Sequence, residues 1–223
     1  MQVIYLDKEN LSHRPEVVRQ IEDLQCKTIL DVGGSWNSWL GDKVTHMFDL
    51  FDPNQSQGMT DNTKRNYTWF KGDINNYEDW LPVVKYTEEH GKFDFVNCTH
   101  TLEDLAYPIT ALKMMPRIAK AGFIAVPSKY WELDRRMIFR GGVHHRWIFD
   151  AEDNNLVLYP KINLIEYMNA YNEKYQSHIE PMKDTELRLL WVDQIDFRIA
   201  NNDYLGPTFE HVVNLYEHLL ADK

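Results

Sequence analysis

Thr28-Ile29-Leu30-Asp31-Val32-Gly33-Gly34-Ser35-Trp36-Asn37 carries a short apolar run straight into an acid and a pair of glycines. A run of that length reads as a buried strand, and the glycines after it as a turn at the strand's carboxyl end. Doubly wound α/β domains open their ligand crevice at such a place, where glycine removes the Cβ that would keep a ligand off the backbone. Ordinary tight turns use the same pattern, so the residues at fixed distances downstream decide between the two.

Outward from that stretch the chain alternates. Val17, Val18, Ile21 and Leu24 fall at helical spacing over residues 15–25, ahead of the strand read over residues 27–32. Residues 44–50 and 67–70 are β-rich runs closed by Asp49 and by Gly72-Asp73; residues 77–90 are helical, and 93–98 form another strand. Residues 108–120 read as a helix that Pro116 should kink or shorten, and Phe123-Ile124-Ala125-Val126 as the next strand. Parallel neighbours need crossovers and helices supply them, so the pattern implies an α/β fold with a doubly wound, mainly parallel sheet through residue 128.

Residues 129–185 lose the rhythm, mixing charge, paired glycines and aromatics around one helix at 162–175. They read as an insertion or lid over the strand ends. Residues 187–192 and 195–200 read as two closing strands, and 209–220 as a terminal amphipathic helix. The 223 residues are expected to form a single domain: a binding core over 1–128, a lid or acceptor-binding insertion over 129–185, and closing strands and helix over 186–223.

Composition removes several partners. A formal charge of -10, from 34 acidic against 24 basic side chains with no dense basic cluster, repels a phosphate backbone, so no nucleic-acid partner is expected. No apolar run is long enough to span a bilayer, and residues 1–11 lack the basic-then-apolar order of a secretory signal. A cytoplasmic setting without a membrane partner is the expectation. Cys26 and Cys98 form no disulfide framework and read as small buried thiols of a reducing compartment. Aromatics make up 13 % of the chain, with 7 Trp and 12 Tyr, side chains that fill cores and offer flat faces to sugars and other rings.

Three acids close three successive strand regions. Asp31 and Asp49 lie 18 positions apart, near the ~20-residue offset at which a second-strand carboxylate accepts from both ribose hydroxyls of a dinucleotide. Asp73, in Phe70-Lys71-Gly72-Asp73-Ile74, is placed to accept from an exocyclic adenine amine. Any one alone is equally a turn residue or helix cap; three at successive strand ends mark the rim of one pocket.

In this order the segments resemble the class I S-adenosylmethionine-dependent methyltransferases. Ile29-Leu30-Asp31-Val32-Gly33-Gly34 is similar to their first motif, Met47-Phe48-Asp49 to the second-strand acid, and Gly72-Asp73-Ile74 to the adenine contact. Phe93-Asp94-Phe95-Val96-Asn97-Cys98-Thr99-His100-Thr101-Leu102-Glu103-Asp104 is similar to the fourth motif, and residues 111–123 and 124–128 to the helix and fifth strand beyond it. The resemblance covers about residues 15–128. It implies a seven-stranded Rossmann-like sheet and S-adenosyl-L-methionine as cofactor. The binding residues it implies are Asp31, Gly33, Gly34, Ser35, Asp49, Leu50, Gly72, Asp73, Ile74, Thr99 and His100. One departure stands out: the family's glycine pattern falls on positions 33, 35 and 37, and here these are Gly33, Ser35 and Asn37. Serine bonds locally and asparagine tolerates a left-handed backbone, so the loop survives.

Methyl transfer from a sulfonium to a hydroxyl needs in-line alignment and a group that takes the proton. His100, just past the fourth-motif strand, is the first candidate base because histidine titrates near neutrality. Asp94 starts that strand at its far end and is read as structural. Glu103 and Asp104 either cap the next helix, orient a base or hold a metal. In the lid, Gly141-Gly142-Val143-His144-His145-Arg146-Trp147 adds two histidines and an arginine whose fork fits phosphate or carboxylate. If that segment is extended, His144 and Arg146 share one face and His145 and Trp147 the other; the two histidines then do not readily chelate one metal, and none is assigned. One face would serve the acceptor; the alternative is a packed lid of hydrogen-bonded histidines and an ion-paired arginine. The catalytic set is therefore His100, His144, His145 and Asp104, with Arg146, Trp147 and Glu103 toward substrate.

Tyr167, Tyr171 and Tyr175 recur every four positions with Leu164 and Met168 and read as core or homodimer packing. Ala200-Asn201-Asn202-Asp203-Tyr204-Leu205-Gly206-Pro207 reads as a polar loop without assigned chemistry. Asn97-Cys98-Thr99-His100 stands where enzymes that methylate nucleic-acid amines typically carry Asp or Asn, two prolines and an aromatic, which disfavours base methylation. The expected reaction is O-methylation of a small hydroxylated acceptor, a sugar or glycan precursor ahead of a phenol. Two rivals remain. An NAD-dependent oxidoreductase shares the sheet and ribose acid but wants a third loop glycine near Asn37 and Trp39. A non-catalytic binding subunit is the reading that Ser35 and Asn37 favour.

Overall fold

The computed structural model describes residues 1–7, 15–34, 38–55, 66–133, 141–162, 185–200 and 209–221. In chain order these form β1 (Gln2–Asp7), α1 (Pro15–Asp23), β2 (Ile29–Val32), β3 (His46–Asp49), β4 (Thr68–Lys71), α2 (Leu81–His90), β5 (Phe93–Thr99), α3 (Pro108–Ile118) and β6 (Ala119–Pro127). After these come α4 (Lys129–Glu132), β7 (Trp147–Glu152), β8 (Asn155–Pro160), β9 (Glu186–Val192), β10 (Phe197–Ile199) and α5 (Phe209–Leu220). Short 3₁₀ turns at Gly41–Lys43, Pro53–Gln55 and Tyr77–Trp80 complete the regular structure.

Seven strands build one sheet in the spatial order β1-β9-β6-β5-β2-β3-β4. Strands β2 to β6 are mutually parallel, and β9 runs antiparallel between β6 and β1. Val17 and Ile21 of α1 cover one face on Ile29, Met47, Phe95 and Phe123. The other face holds Leu30, Phe48 and Val96 under Val83 and Val84 of α2 and Leu112 and Met115 of α3. Ile29 and Leu30 thus enter opposite cores, as a strand buried on both faces requires. The chain has the doubly wound, mainly parallel, seven-stranded α/β fold expected from its sequence.

Asp94 is structural, as expected from its place at the far end of β5. Its Oδ2 accepts from Lys27 N (2.9 Å), Thr28 N (3.1 Å) and Thr28 Oγ1 (3.1 Å), and its Oδ1 from Lys120 Nζ (2.7 Å). Burial opposes its charge, but the Lys120, Lys27 and Thr28 donors outweigh that and hold its carboxyl down at about 2. Cys98 is buried and Cys26 half-buried, both free thiols pushed up by burial. Pro116 lies two residues before the end of α3, which stops at Ile118 rather than at 120.

The structure departs from the sequence pattern in three places. Residues from the amino end supply β1, an edge strand of the main sheet whose partner β9 comes from the far end of the chain. Residues 147–160 and 197–199 build a second sheet, ordered β10-β8-β7. There β7 and β8 form a hairpin over Asp153 and Asn154, whose φ of 47° and 62° are the left-handed pair of a type I′ turn. Residues 195–200, expected to close the main sheet, give β10 in this small sheet instead: Asp193, with φ 69°, turns the chain away directly after β9. The small sheet packs against α5 through Ile148, Val157, Tyr159, Tyr216 and Leu219. The hairpin turn also reaches the main sheet's edge, where Asn154 Nδ2 donates to Gln2 O (2.6 Å) and Asn154 Oδ1 accepts from Ile4 N (3.1 Å).

Of the helix expected over 162–175 only Ile162 is described, and of the polar loop over 200–207 only Ala200; Leu164, Tyr167, Met168, Tyr171 and Tyr175 lie outside the described residues, as do Ser35, Trp36 and Asn37. Among the described residues no helix is long and apolar enough to cross a membrane.

Candidate functional site

From β2 the chain proceeds to β3 and β4 on one side and then to β5 on the other, so the strand order reverses between β2 and β5. Ligands of doubly wound sheets sit outside the strand ends at such a switch point. Here a cleft of about 260 Å³ is lined by Gly33, Asp49, Leu50, Phe51, Gly72, Asp73, Ile74, His100, Thr101, Asp104 and Leu105. Residues singled out after four different strands therefore meet in one place.

The glycine turn owes its composition to the protein itself. Gly33 has φ 69°, and a Cβ there would lie 2.3 Å from Thr101 Cγ2; on Gly34 it would lie 2.7 Å from the Asp31 carboxyl carbon. These glycines make room for Thr101 and Asp31, where the sequence pattern suggests room for a ligand. Asp31 sits inside β2 at 2 % exposure and accepts from Asn97 Nδ2 at 2.8 Å, so it supports the turn from beneath. Thr99 is the last residue of β5 and is not among the residues that line the cleft.

On the β3 side, Asp49 is half-buried, and desolvation pushes its carboxyl up despite the Phe51 amide on Oδ1 at 2.9 Å. Leu50 and Phe51 beside it are 46 % and 74 % exposed and give the cleft an apolar flank. Asp73 Oδ1 accepts from both Asn75 N and Asn75 Nδ2, each at 2.9 Å, which closes a local turn while the residue still lines the cleft.

His100 caps β5 in the left-handed region, φ 51°. Its Nε2 lies 2.8 Å from Glu186 Oε1 and its Nδ1 3.5 Å from Glu103 Oε1; the ring is 50 % exposed, whereas both carboxylates are buried. Desolvation would lower its pKa, but hydrogen bonds and charge from Glu103 and Glu186 reverse that and push it up to about 9. The ring is a cation at neutral pH with both nitrogens turned to carboxylates, which leaves no lone pair for the base role expected of it. Glu186 is itself held by Arg188, whose Nε lies 2.6 Å from Glu186 Oε2 while Nη1 reaches Glu16 at 2.8 Å.

The histidine segment is a turn over residues 141–146, and β7 starts only at Trp147. It is fastened to the loop after β5 by Arg146 N (2.6 Å) and Trp147 N (3.3 Å), both donating to Glu103 O, and by Trp147 Nε1 donating to Leu105 O at 2.9 Å. His144 Nε2 and His145 Nε2 then lie 3.6 and 3.7 Å from the same Asp104 Oδ1. The strand alternation that was expected to separate the two histidines does not apply, because the backbone there is not extended. His145 Nδ1 is bonded to buried Glu132, which also pairs with Lys161 Nζ at 2.9 Å. Desolvation of His145 is outweighed by Glu132 and by the charges of Glu103 and Asp104, so its pKa is raised.

Other expected site residues take different places. Glu103 is 1 % exposed and Trp147 packs into the main core, so neither meets an acceptor directly, whereas Arg146 and His144 are exposed. Neither Glu103 nor Asp104 caps α3, whose N-terminal residue Tyr107 makes no side-chain cap. Glu132, Lys161, Glu186 and Arg188 support the site without having been singled out by sequence pattern. The one local signal was an ionic pair, Glu186 and Arg188, two apart in an otherwise apolar strand and so on one face.

No protein-family model and no curated protein matches the chain. Similar solved structures include the methyltransferase domain of a bacterial CtHen1, 9 % identical with TM-score 0.44 over 80 % of this chain and 95 % of that one. A cyclopropane-fatty-acyl-phospholipid synthase-like protein from Lactobacillus casei ATCC 334 is 12 % identical with TM-score 0.40 over 84 % and 94 %. The MycE methyltransferase of the mycinamycin biosynthetic pathway, solved with Mg and SAH, is 12 % identical with TM-score 0.38 over 91 % of this chain and 55 % of that one. Each is a remote likeness.

Proposed function

We propose that the chain is an S-adenosylmethionine-dependent methyltransferase that acts on a hydroxyl of a small acceptor, with a sugar or glycan precursor ahead of a phenol. The observation that carries this reading is the cleft at the switch point, which brings Gly33, Asp49 and Asp73 together. The residues present fit an adenosyl group: a carboxylate at the end of β3 suits paired ribose hydroxyls, and Leu50 and Phe51 offer apolar surface to a flat base. The cofactor supplies an electrophilic methyl on a sulfonium.

The chain's own residues do the rest. Thr101 and the glycine turn fix one wall of the cleft, and the ion pairs of His100 with Glu103 and Glu186 hold the loop after β5 in place at its rim. The acceptor's proton leaves at the mouth, where Asp104 and His144 are exposed. Arg146, also exposed, suits the phosphate or carboxylate of an anionic or nucleotide-linked acceptor. The charge of -10 weighs against nucleic acid.

Calorimetry with S-adenosylhomocysteine tests the cofactor half. Binding by the wild type that Asp49→Ala weakens supports it; tight NAD binding without S-adenosylhomocysteine binding would move the chain to the NAD-dependent oxidoreductases, and binding of neither would make it a non-catalytic subunit. Labelled methyl transfer to a panel of sugars, phenols, proteins and nucleic acid tests the acceptor half, which fails if protein or nucleic acid is labelled and no hydroxyl is.

A further inference from the structure

Asp104, His144 and His145 each present one ligand atom, and these atoms all lie within 4.8 Å of one another. We propose that they hold a divalent first-row transition-metal ion at the mouth of the cleft. Around a tetrahedral ion with bonds of about 2.0–2.1 Å, neighbouring ligand atoms stand about 3.3 Å apart. The two Asp104 to histidine separations, 3.6 and 3.7 Å, exceed this by only a few tenths of an ångström, which side-chain torsions close. The imidazoles meet edge to face, centroids 4.5 Å apart and planes at 78°, so both Nε2 lone pairs can converge from different directions.

Two further observations point the same way. His145 carries the support found behind metal-binding histidines: its Nδ1 is bonded to Glu132, buried and paired with Lys161, which fixes the tautomer that leaves Nε2 as donor. Gly141 and Lys161 brace that carboxylate, since a Cβ at Gly141 would meet Glu132 and Lys161 Nζ also donates to Gly142 O at 2.9 Å. Next to Asp104, Glu103 is 1 % exposed, and its Oε2 has no hydrogen-bond partner among the described residues. A buried carboxylate oxygen without a partner is costly, and because the Glu103 charge acts on His145, a cation held by that histidine offsets the cost.

Two imidazoles and one carboxylate are borderline donors that select manganese, iron, cobalt or zinc over calcium. Three protein ligands on an exposed site leave coordination positions open, the arrangement of a metal that meets substrate. What the ion does rests on the methyl-transfer reading: it takes the acceptor's hydroxyl oxygen into an open position, lowers its pKa and lets its proton pass to solvent before the oxygen is methylated. Binding of the ion does not depend on that reading.

The test uses the untagged full chain, stripped by chelator, with cobalt(II) added while visible absorption is followed and zinc(II) added in a calorimeter, without other ligands. One equivalent is expected to bind, with His144→Ala and Asp104→Asn each weakening affinity at least tenfold and His90→Ala leaving it unchanged. His145→Ala exposes the Glu132 contact and is read only if its melting temperature holds; His144, 67 % exposed, keeps the test decisive without it. No saturable equivalent, or one that survives the His144 and Asp104 changes, overturns the proposal. A chain that binds the metal but no S-adenosylhomocysteine keeps the metal site and loses the methyl-transfer role.

Discussion

His100 and Glu186 stand 86 positions apart in the chain and 2.8 Å apart in space, so the loop after β5 is tied ionically to the first residue of β9. The tie is made on folding, which raises the histidine from 6.5 to about 9. Its contribution to stability is therefore complete below pH 6.5 and fades as the pH rises to about 9. The ring is half-exposed, so the amount is at most ~1 kcal/mol. The melting temperature is expected to fall between neutral and alkaline pH, and His100→Gln to flatten that fall. Ring-proton NMR should find His100 still charged at pH 7.5; a ring titrating near 6 would remove the cation from the site.

Asp49→Asn keeps the shape at the end of β3 and removes the charge. A hydrogen bond to a charged group contributes roughly 1.5–3 kcal/mol, so affinity for S-adenosylhomocysteine should drop about 10- to 100-fold. Asp73→Asn should cost less, because Asn75 already occupies one of its oxygens. The reverse ranking in a calorimetric titration would place the ribose on the other acid.

Gly33 and Gly41 both have left-handed backbones, φ 69° and 59°, but only Gly33 faces a neighbour; nothing lies within 4 Å of a Cβ at Gly41. Gly41→Ala should therefore cost the backbone strain alone, about 1 kcal/mol, and Gly33→Ala that strain plus overpacking on Thr101, about 2–4 kcal/mol. Chemical denaturation of the two variants compares them directly, and equal costs would mean that Thr101 yields freely.

Asp94 has its carboxyl depressed from 3.8 to about 2, so its contribution is complete above 3.8 and is lost as the pH falls through 2. Asp94→Asn should cost about 2 kcal/mol at neutral pH and nothing at the acid end of that window. A cost that does not shrink on acidification would show packing, not charge, at the base of β5.

The stretch from β2 to β6 was legible because each strand is a contiguous apolar run with helical periodicity between, and Gly33, Asp49, Asp73 and His100 sit at strand ends that such runs define, whereas Phe51, Thr101 and Leu105 join the cleft from the loops beyond without a pattern of their own. Local patterns fail where partners are remote. Residues 2–7 are a strand only by virtue of β9, and nothing near His145 in sequence announces Glu132 as its brace. The histidine segment shows a different failure: alternation was applied to residues that turn, and the turn is imposed by Glu103 O, which collects two amides from across the cleft. Trp147-Ile148-Phe149 and Leu156-Val157-Leu158 around Asp153-Asn154 did carry a hairpin signal, hidden by reading the segment as a lid.

Because β1 pairs with β9 alone among the described strands, a strand synthesised before the parallel core waits for one synthesised after it. The parallel core from β2 to β6 is complete in sequence by Pro127, yet until residues 186–192 have emerged β6 lacks its outer neighbour and β1 has no sheet to join. Closing that edge means bridging from residues 2–7 to residues 186–191, an entropic cost met late and in one step. A nascent chain arrested before β9 should hold a protected core with a protease-sensitive β1 segment, and translation beyond Val192 should make both resistant together.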